Sequence, residues 1–239
     1  MNRAVSGRGV GGTTWCVLVA AGSGSRLGGD RPKAFAGLAG RPLLAESLAR
    51  LDASDWIDTI VVAAPEGWEE PTILLAEELV ASKVAAVVTG GETRAESVRA
   101  ALEEVADDAL VVLVHDAARP LVGLGTIDRV VASVRAGTPA IAALPVVDTL
   151  KETAADGAIV RTVDRTSLWR AQTPQGFPRA LLVEAHRRAR EERIAATDDA
   201  ALCERLGHVV RVVRGSERAL KVTEPGDFAR VEALYAMEE

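Results

Sequence analysis

From Trp15 to Val213 the chain alternates short runs of β-branched and small apolar residues with longer stretches whose apolar positions recur at three- and four-residue spacing. The runs are Trp15 to Ala20, Thr59 to Ala64, Val84 to Val88, Leu110 to Val114 and Ala140 to Leu144, each short enough to be a buried strand. Between them, Leu44, Leu48 and Leu51, then Val98, Leu102 and Val105, then Ile127, Val130, Val131 and Val134 each mark one apolar helix face. Strand and helix in strict alternation predict an α/β fold, a mostly parallel twisted sheet with helices on both faces. Right-handed crossovers then collect the C-terminal strand ends along one edge, where ligand-binding loops gather.

After Val146 the rhythm breaks. Thr149 to Thr153 and Ala158 to Val163 read as extended, and they flank Asp156-Gly157, a strong hairpin signal. The pattern predicts a protruding β-hairpin arm at about residues 146–166. A two-stranded hairpin is marginal alone, so the arm should lie on its own domain or on a partner subunit. Beyond it the pattern predicts helices over Arg179 to Arg190 and Asp199 to Leu206, a strand over Val209 to Val213 and a last helix from Pro225. Residues 1–14 are rich in glycine and polar groups without periodicity, and read as a flexible leader before a single domain over 15–239.

Composition narrows the class. Hydrophobic residues make up 48% of the 239 but aromatics only 3%, so Val, Leu, Ile and Ala must build the core, as in a parallel sheet. A net charge of -6 argues against a protein that covers nucleic-acid phosphates. Cys16 and Cys203 lie far apart with no metal-ligand spacing, and no apolar run approaches the roughly 18 residues of a membrane span. A cytoplasmic enzyme with small-molecule substrates is the expectation.

Three loops carry the candidate chemistry. Ala20-Ala21-Gly22-Ser23-Gly24-Ser25-Arg26-Leu27-Gly28-Gly29-Asp30-Arg31-Pro32-Lys33 follows the first run. Its glycines let backbone N–H groups approach phosphates, and Arg26 and Lys33 add fixed positive charge, which suits a nucleoside triphosphate. Leu27 stands where a dinucleotide fingerprint needs its third glycine, and no Gly-Lys-Ser/Thr completes a P-loop. Thr89-Gly90-Gly91-Glu92-Thr93-Arg94-Ala95-Glu96-Ser97 offers close backbone approach to a flat base and a hydroxyl at Ser97; it is equally a helix start, with Thr93 and Glu96 forming a capping box. In His115-Asp116-Ala117-Ala118-Arg119-Pro120, Asp116 suits a metal ion on phosphates or a substrate hydroxyl, and Arg119 a second phosphate; an Asp–Arg turn brace is the plain alternative. His115 has no evident partner and reads as structural. Asp148-Thr149, Asp164-Arg165, Thr173-Pro174-Gln175, Thr197-Asp198-Asp199 and Lys221-Val222-Thr223 are scattered polar groups that individually read as turns, caps or solvated charge.

With these residues in order, the chain resembles the 2-C-methyl-D-erythritol 4-phosphate cytidylyltransferases of the non-mevalonate isoprenoid pathway. The resemblance runs from Val17 to about Tyr235 through Ala20-Ala21-Gly22-x-Gly24-x-Arg26, Pro32-Lys33, Gly90-Gly91-x-x-Arg94-x-x-Ser97-Val98, Val114-His115-Asp116-Ala117-Ala118-Arg119-Pro120, Asp148-Thr149, Thr162-Val163-Asp164-Arg165, Thr173-Pro174-Gln175, Thr197-Asp198 and Lys221-Val222-Thr223. It implies a nucleotide-diphospho-sugar transferase-like fold and a homodimer whose arms embrace. It implies that Ala20, Ala21, Gly22, Gly24, Gly90, Gly91, Ser97, Asp116 and Ala117 meet CTP, and that Arg26, Lys33 and Lys221 are catalytic. Asp116, Arg119, Thr149, Arg165, Thr173, Thr197 and Lys221 would surround the acceptor, with Arg165 arriving from the neighbouring arm. The implied cofactor is Mg²⁺, held mainly by CTP phosphates with Asp116 as the candidate protein ligand. Ala34 departs from a common Gln after Pro-Lys, and the expectation is a lost loop contact with activity kept. A ribitol 5-phosphate cytidylyltransferase is the nearest rival; a dinucleotide oxidoreductase is disfavoured by Leu27, and a non-catalytic nucleotide sensor by the presence of Arg26 and Lys33.

Overall fold

The computed structural model describes residues 12–22 and 31–237. In chain order its strands are β1 (Thr14–Val19), β2 (Gly37–Leu38), β3 (Arg41–Pro42), β4 (Thr59–Ala64), β5 (Val84–Thr89), β6 (Val111–Asp116), β7 (Ala140–Pro145), β8 (Leu150–Thr153), β9 (Ile159–Val163), β10 (Trp169–Pro178) and β11 (Arg211–Arg214). The helices are α1 (Leu43–Asp52), α2 (Glu69–Glu78), α3 (Arg94–Leu102), α4 (Leu124–Arg135), α5 (Arg179–Glu191), α6 (Asp199–Arg205) and α7 (Pro225–Ala236). Seven strands form one sheet in the order β11-β7-β10-β6-β1-β4-β5, and every pairing is parallel except those of β10, which runs against both β6 and β7.

Alternation along β1 assigns the two faces. Cys16 and Leu18 point to the side covered by α1 and α4, through Leu44, Leu48, Leu51, Ile127, Val130, Val131 and Val134. Val17 points to the other side, where α3, α5 and α6 pack Val98, Ala101, Leu182, Ala185, Ala200 and Cys203. Burying a side chain such as Leu48, which is fully enclosed, contributes about 1.5–3 kcal/mol. A third cluster of Leu38, Leu43, Leu121, Val222 and Val231 seats α7 against the β2–β3 turn.

Helices on both faces of a mostly parallel sheet, with a hairpin arm, are the architecture the apolar pattern predicts. The arm is β8 paired with β9 around Asp156-Gly157, with Gly157 at φ 85. Some boundaries differ. The fourth run reaches past Val114, so β6 carries His115 and Asp116 as its last residues. Strand β1 begins at Thr14, Thr13 accepts backbone hydrogen bonds from Leu110 and Val111, and residues 1–11 lie outside the described residues.

The main element absent from the apolar pattern is β10. Its sequence, Trp-Arg-Ala-Gln-Thr-Pro-Gln-Gly-Phe-Pro, mixes polar residues with Pro174 and Gly176, and such a mixture reads as turn. It nevertheless occupies the centre of the sheet, with a register shift against β7 between Ala171 and Gln175 around the cis Thr173–Pro174 peptide. Gly176 is what lets α4 lie close over it: a Cβ there would stand 2.6 Å from Val130 Cγ1 and 3.0 Å from both Leu113 Cδ2 and Val134 Cγ2. Gly176→Val should therefore overpack the α4 interface and destabilise the fold by roughly 1–3 kcal/mol, read as a lower denaturation midpoint at unchanged slope.

Candidate active site

At the C-terminal edge of the sheet the strand ends are tied together by the chain that leaves them. Ala20 N–H donates to Ala63 O at 2.9 Å, Ala117 N–H to Val19 O at 3.0 Å and Gly90 N–H to Ala64 O at 2.8 Å. Above this floor opens a cavity of about 640 Å³. Its walls are Ala20, Ala21 and Gly22 after β1, Lys33 and Ala34 from a short 3₁₀ turn, Gly90, Gly91, Arg94 and Ser97 around the start of α3, Asp116 and Ala117 at the end of β6, and Lys221 from the segment before α7.

The two glycines after β5 are required by close approach. A Cβ on Gly90 would stand 2.1 Å from Ala21 Cβ, and one on Gly91 2.2 Å from Glu96 Cβ. Gly91 N–H donates to Ser97 Oγ at 3.1 Å, and the Ser97 hydroxyl donates to Thr93 O at 3.0 Å. Thr93 and Glu96 form the capping box that the sequence suggests as the alternative role of this loop. The N–H groups of Gly90 and Gly91 are thus engaged within the protein. What this loop can still offer a flat ligand is its carbonyl oxygens and its small size.

Asp116 sits 6% exposed, which would ordinarily neutralise a carboxyl by raising its pKa. Burial does push that way, but the charges of Arg94 and Lys221 outweigh it and hold the group well below the usual carboxylate range. Arg94 Nε donates to Asp116 Oδ1 at 3.0 Å, and Lys221 Nζ lies 2.8 Å from Oδ2. On its other side, Arg94 Nη1 donates to Asp199 Oδ2 at 2.7 Å, and Asp199 Oδ1 meets His186 Nε2 at 2.8 Å. Asp199 is likewise held below the ordinary range; burial opposes this, and Arg94 and then His186 overcome it. Lys33 Nζ donates to the carbonyl of Val222, the residue after Lys221, at 3.1 Å, and both lysines line the cavity.

His115, which the sequence leaves without a partner, has two. Asp116 N–H donates to Thr173 Oγ1 at 3.1 Å, Thr173 Oγ1 lies 2.9 Å from His115 Nδ1, and His115 Nε2 lies 3.2 Å from Arg119 O. The carbonyl can only accept, so Nε2 carries the proton, Nδ1 accepts from the Thr173 hydroxyl, and the ring is neutral. Burial depresses its pKa to about 4. Asp116 is bonded not to the Arg119 side chain but to Arg94 and Lys221, which corrects the Asp–Arg brace. Arg119 instead donates to Ala219 O at 2.8 Å and Ala171 O at 3.4 Å, outside the cavity lining.

Several other expected residues do not reach the cavity within this chain. Thr173 lies behind Asp116; Thr149, Arg165 and Thr197 are exposed, and Arg165 donates to Val147 O at the base of the arm. Gly24 and Arg26 lie outside the described residues. Conversely, Arg94 and Asp199 received no role from the sequence. Arg94 stands inside the quoted glycine motif, so a signal was present; Asp199 follows the α6 cap Asp198 and looks like a second capping carboxylate.

Known proteins share both the sequence and the fold. The family model described as 2-C-methyl-D-erythritol 4-phosphate cytidylyltransferase matches residues 14–237. Curated relatives bearing that same name include proteins of Deinococcus radiodurans, 48% identical over 222 residues covering 92% of this chain and 89% of theirs, and of Pelotomaculum thermopropionicum, 42% identical over 219 residues covering 91% and 92%. The crystal structure of 2-C-methyl-D-erythritol 4-phosphate cytidylyltransferase from Thermus thermophilus superposes with a TM-score of 0.78 at 38% identity, over 92% of this chain and 98% of that one.

His115 also yields a pH expectation. Its folded pKa lies below the ordinary value of 6.5, so the unfolded chain binds the extra proton first. Its contribution to stability is full above about pH 6.5 and is lost as pH falls toward about 4, by on the order of 3 kcal/mol. The depressed carboxyl of Asp116 adds a second loss below its unfolded value of 3.8. Denaturation midpoints measured from pH 7.5 to 4 should fall, and His115→Gln should flatten that limb.

Proposed function

The chain belongs to the 2-C-methyl-D-erythritol 4-phosphate cytidylyltransferase family, and on that premise we propose that it transfers the cytidylyl group of CTP to 2-C-methyl-D-erythritol 4-phosphate. The products are 4-diphosphocytidyl-2-C-methyl-D-erythritol and pyrophosphate. The observation that carries this reading is the cavity itself, where two small-residue loops meet the matched charges of Asp116, Arg94 and Lys221 beside Lys33.

Cytosine presents an exocyclic amine, a donor, where uracil presents an acceptor. The carbonyl oxygens of the Gly90-Gly91 loop, whose N–H groups are already engaged, suit that donor. Ala20, Ala21 and Gly22 admit the phosphate chain, and the resemblance adds Gly24 and Arg26 to this part. An acceptor phosphate oxygen, already ionised at neutral pH, attacks the α-phosphorus. One P–O bond forms, the bond to the β-phosphate oxygen breaks, and its electron pair leaves with pyrophosphate. No general base is needed, so catalysis rests on positioning and on fixed positive charge from Lys33 and Arg26 at the phosphorus. Lys221 and Asp116 meet the acceptor, with Arg119 and Thr173 behind them. Thr149, Thr197 and a partner's arm carrying Arg165 would complete that side.

Among the described residues no three His, Cys, Asp or Glu side chains gather as a metal site. The cavity lining includes the buried carboxylate of Asp116, whose two oxygens are engaged by Arg94 and Lys221, so Mg²⁺ arriving on the triphosphate would take its oxygens mainly from phosphate. Such an ion neutralises triphosphate charge when bound. The homodimer reading is supported by Val147, Leu150, Ile159 and Val160, all exposed on or beside the arm. No helix among the described residues is long and apolar enough to cross a membrane, and the location proposed for this reaction is the cytoplasm.

Pyrophosphate release measured with CTP and each of two acceptors, methylerythritol phosphate and ribitol 5-phosphate, tests the assignment; release only with the second would overturn it. Lys33→Ala should lower turnover by about 100-fold or more while the unfolding temperature moves little. Replacing Ile159 and Val160 by Asp should turn a dimer into a monomer by light scattering and raise KM for the acceptor.

A further inference from the structure

A line of side chains leads away from the cavity and ends in the helical layer behind it. Lys221, Asp116, Arg94, Asp199 and His186 follow one another at 2.8, 3.0, 2.7 and 2.8 Å. The first three border the cavity, and the last two do not. Asp199 is 1% exposed and His186 2%. The two come from different helices, α6 and α5, and reach an arginine on a third, α3. A buried aspartate needs no histidine merely to be compensated, since Arg94 already contacts it. What His186 adds is direction: with Oδ1 held by His186 Nε2, the remaining oxygen Oδ2 is fixed on Arg94 Nη1.

The Asp199 backbone is fixed as well. Its N–H and that of Ala200 donate to Gln175 Oε1 at 3.1 and 3.2 Å, and Gln175 Nε2 donates to the α6 cap Asp198 at 2.8 Å. Arg94 is thereby gripped on two of its nitrogens by carboxylates from opposite sides. Its Nη2 is buried without a hydrogen-bond partner, so no third hydrogen bond holds the guanidinium. If Asp199 swings, Arg94 is left to Asp116 alone, and the group beside Gly90, Gly91 and Ser97 is free to turn into the space a nucleotide would fill.

We propose that His186 and Asp199 are positioning residues for the nucleotide site, acting on bound CTP through the orientation of Arg94. The inference rests on the cytidylyltransferase reading above. His186 stands apart from the reacting phosphorus, so its loss should weaken nucleotide binding and leave the chemical step largely intact. A purely structural pin between α5 and α6 would lower thermal stability and leave the affinity of the folded fraction unchanged.

The test is calorimetric binding of CTP, with steady-state kinetics and a thermal melt on the same samples, for His186→Leu, His186→Gln, Arg94→Lys and the His186→Leu/Arg94→Lys double variant. His186→Leu should weaken CTP binding and raise its KM by roughly three- to thirtyfold with kcat within about twofold. His186→Gln, whose amide can still donate to Asp199, should recover most of the affinity. Lysine lacks the guanidinium fork and cannot hold both carboxylates, so in the Arg94→Lys background removal of His186 should cost little further affinity. Wild-type affinity in folded His186→Leu, or an equal loss on both backgrounds, overturns the proposal. If His186→Leu does not fold, His186→Gln and Arg94→Lys decide it: Arg94→Lys binding CTP as wild type overturns it. Failure of the unaltered protein to bind CTP would instead remove the functional reading on which it stands.

Discussion

A carboxylate buried at the end of a central strand must be matched by positive charge or give up its own, and Asp116 is kept ionised by two cations from distant parts of the chain. Arg94 comes from the start of α3 and Lys221 from the segment before α7. Removing one partner from such a site typically costs several kcal/mol, far more than the intact set contributes over an apolar equivalent. The arrangement therefore fixes geometry more than it adds stability: β6, α3 and the 216–223 segment can take only the relative placement that closes these contacts. The cavity is the space left between them.

Much of this was legible because local rules and the global fold agree. The apolar runs that become β1 and β4 need no tertiary knowledge, since a strand covered on both faces is apolar along most of its length. Asp156-Gly157 marks its turn because glycine tolerates the left-handed conformation found at Gly157. The glycine loops were visible for a similar reason, as Gly90 and Gly91 stand where any side chain would collide. β10 was hidden because its function overrides its propensity: Thr173 and Gln175 face inward to serve Asp116 and α6, so the polar positions that ordinarily mark a solvent face mark the interior here. Partnerships across more than 100 residues, such as Arg94 with Asp199, leave no trace in spacing at all.

The two sides of the cavity differ in how they are made. One side relies on small residues and main-chain geometry within the loops after β1 and β5, and hydrogen bonds among strand ends tie it to the sheet. The other side relies on the side chains of Asp116 and Lys221, and Thr149 and Arg165 stand away from it in a single subunit. A backbone-built surface is insensitive to most substitutions that keep the fold, whereas a side-chain-built one changes with each residue.

The reversed direction of β10 has a consequence for how the chain can vary. β7 runs toward the cavity edge and β10 sets out from that same edge, so everything between Pro145 and Trp169 must begin and end there, whatever its length. Had β10 been parallel, this connection would have had to cross the sheet as a helix and could not have hung free. Lengthening a connection that already starts and finishes on one rim adds only a slowly growing closure entropy, about 0.6 kcal/mol per doubling. The fold thus has a place where new sequence can be inserted beside the cavity edge without disturbing a core residue, and the arm is what occupies it.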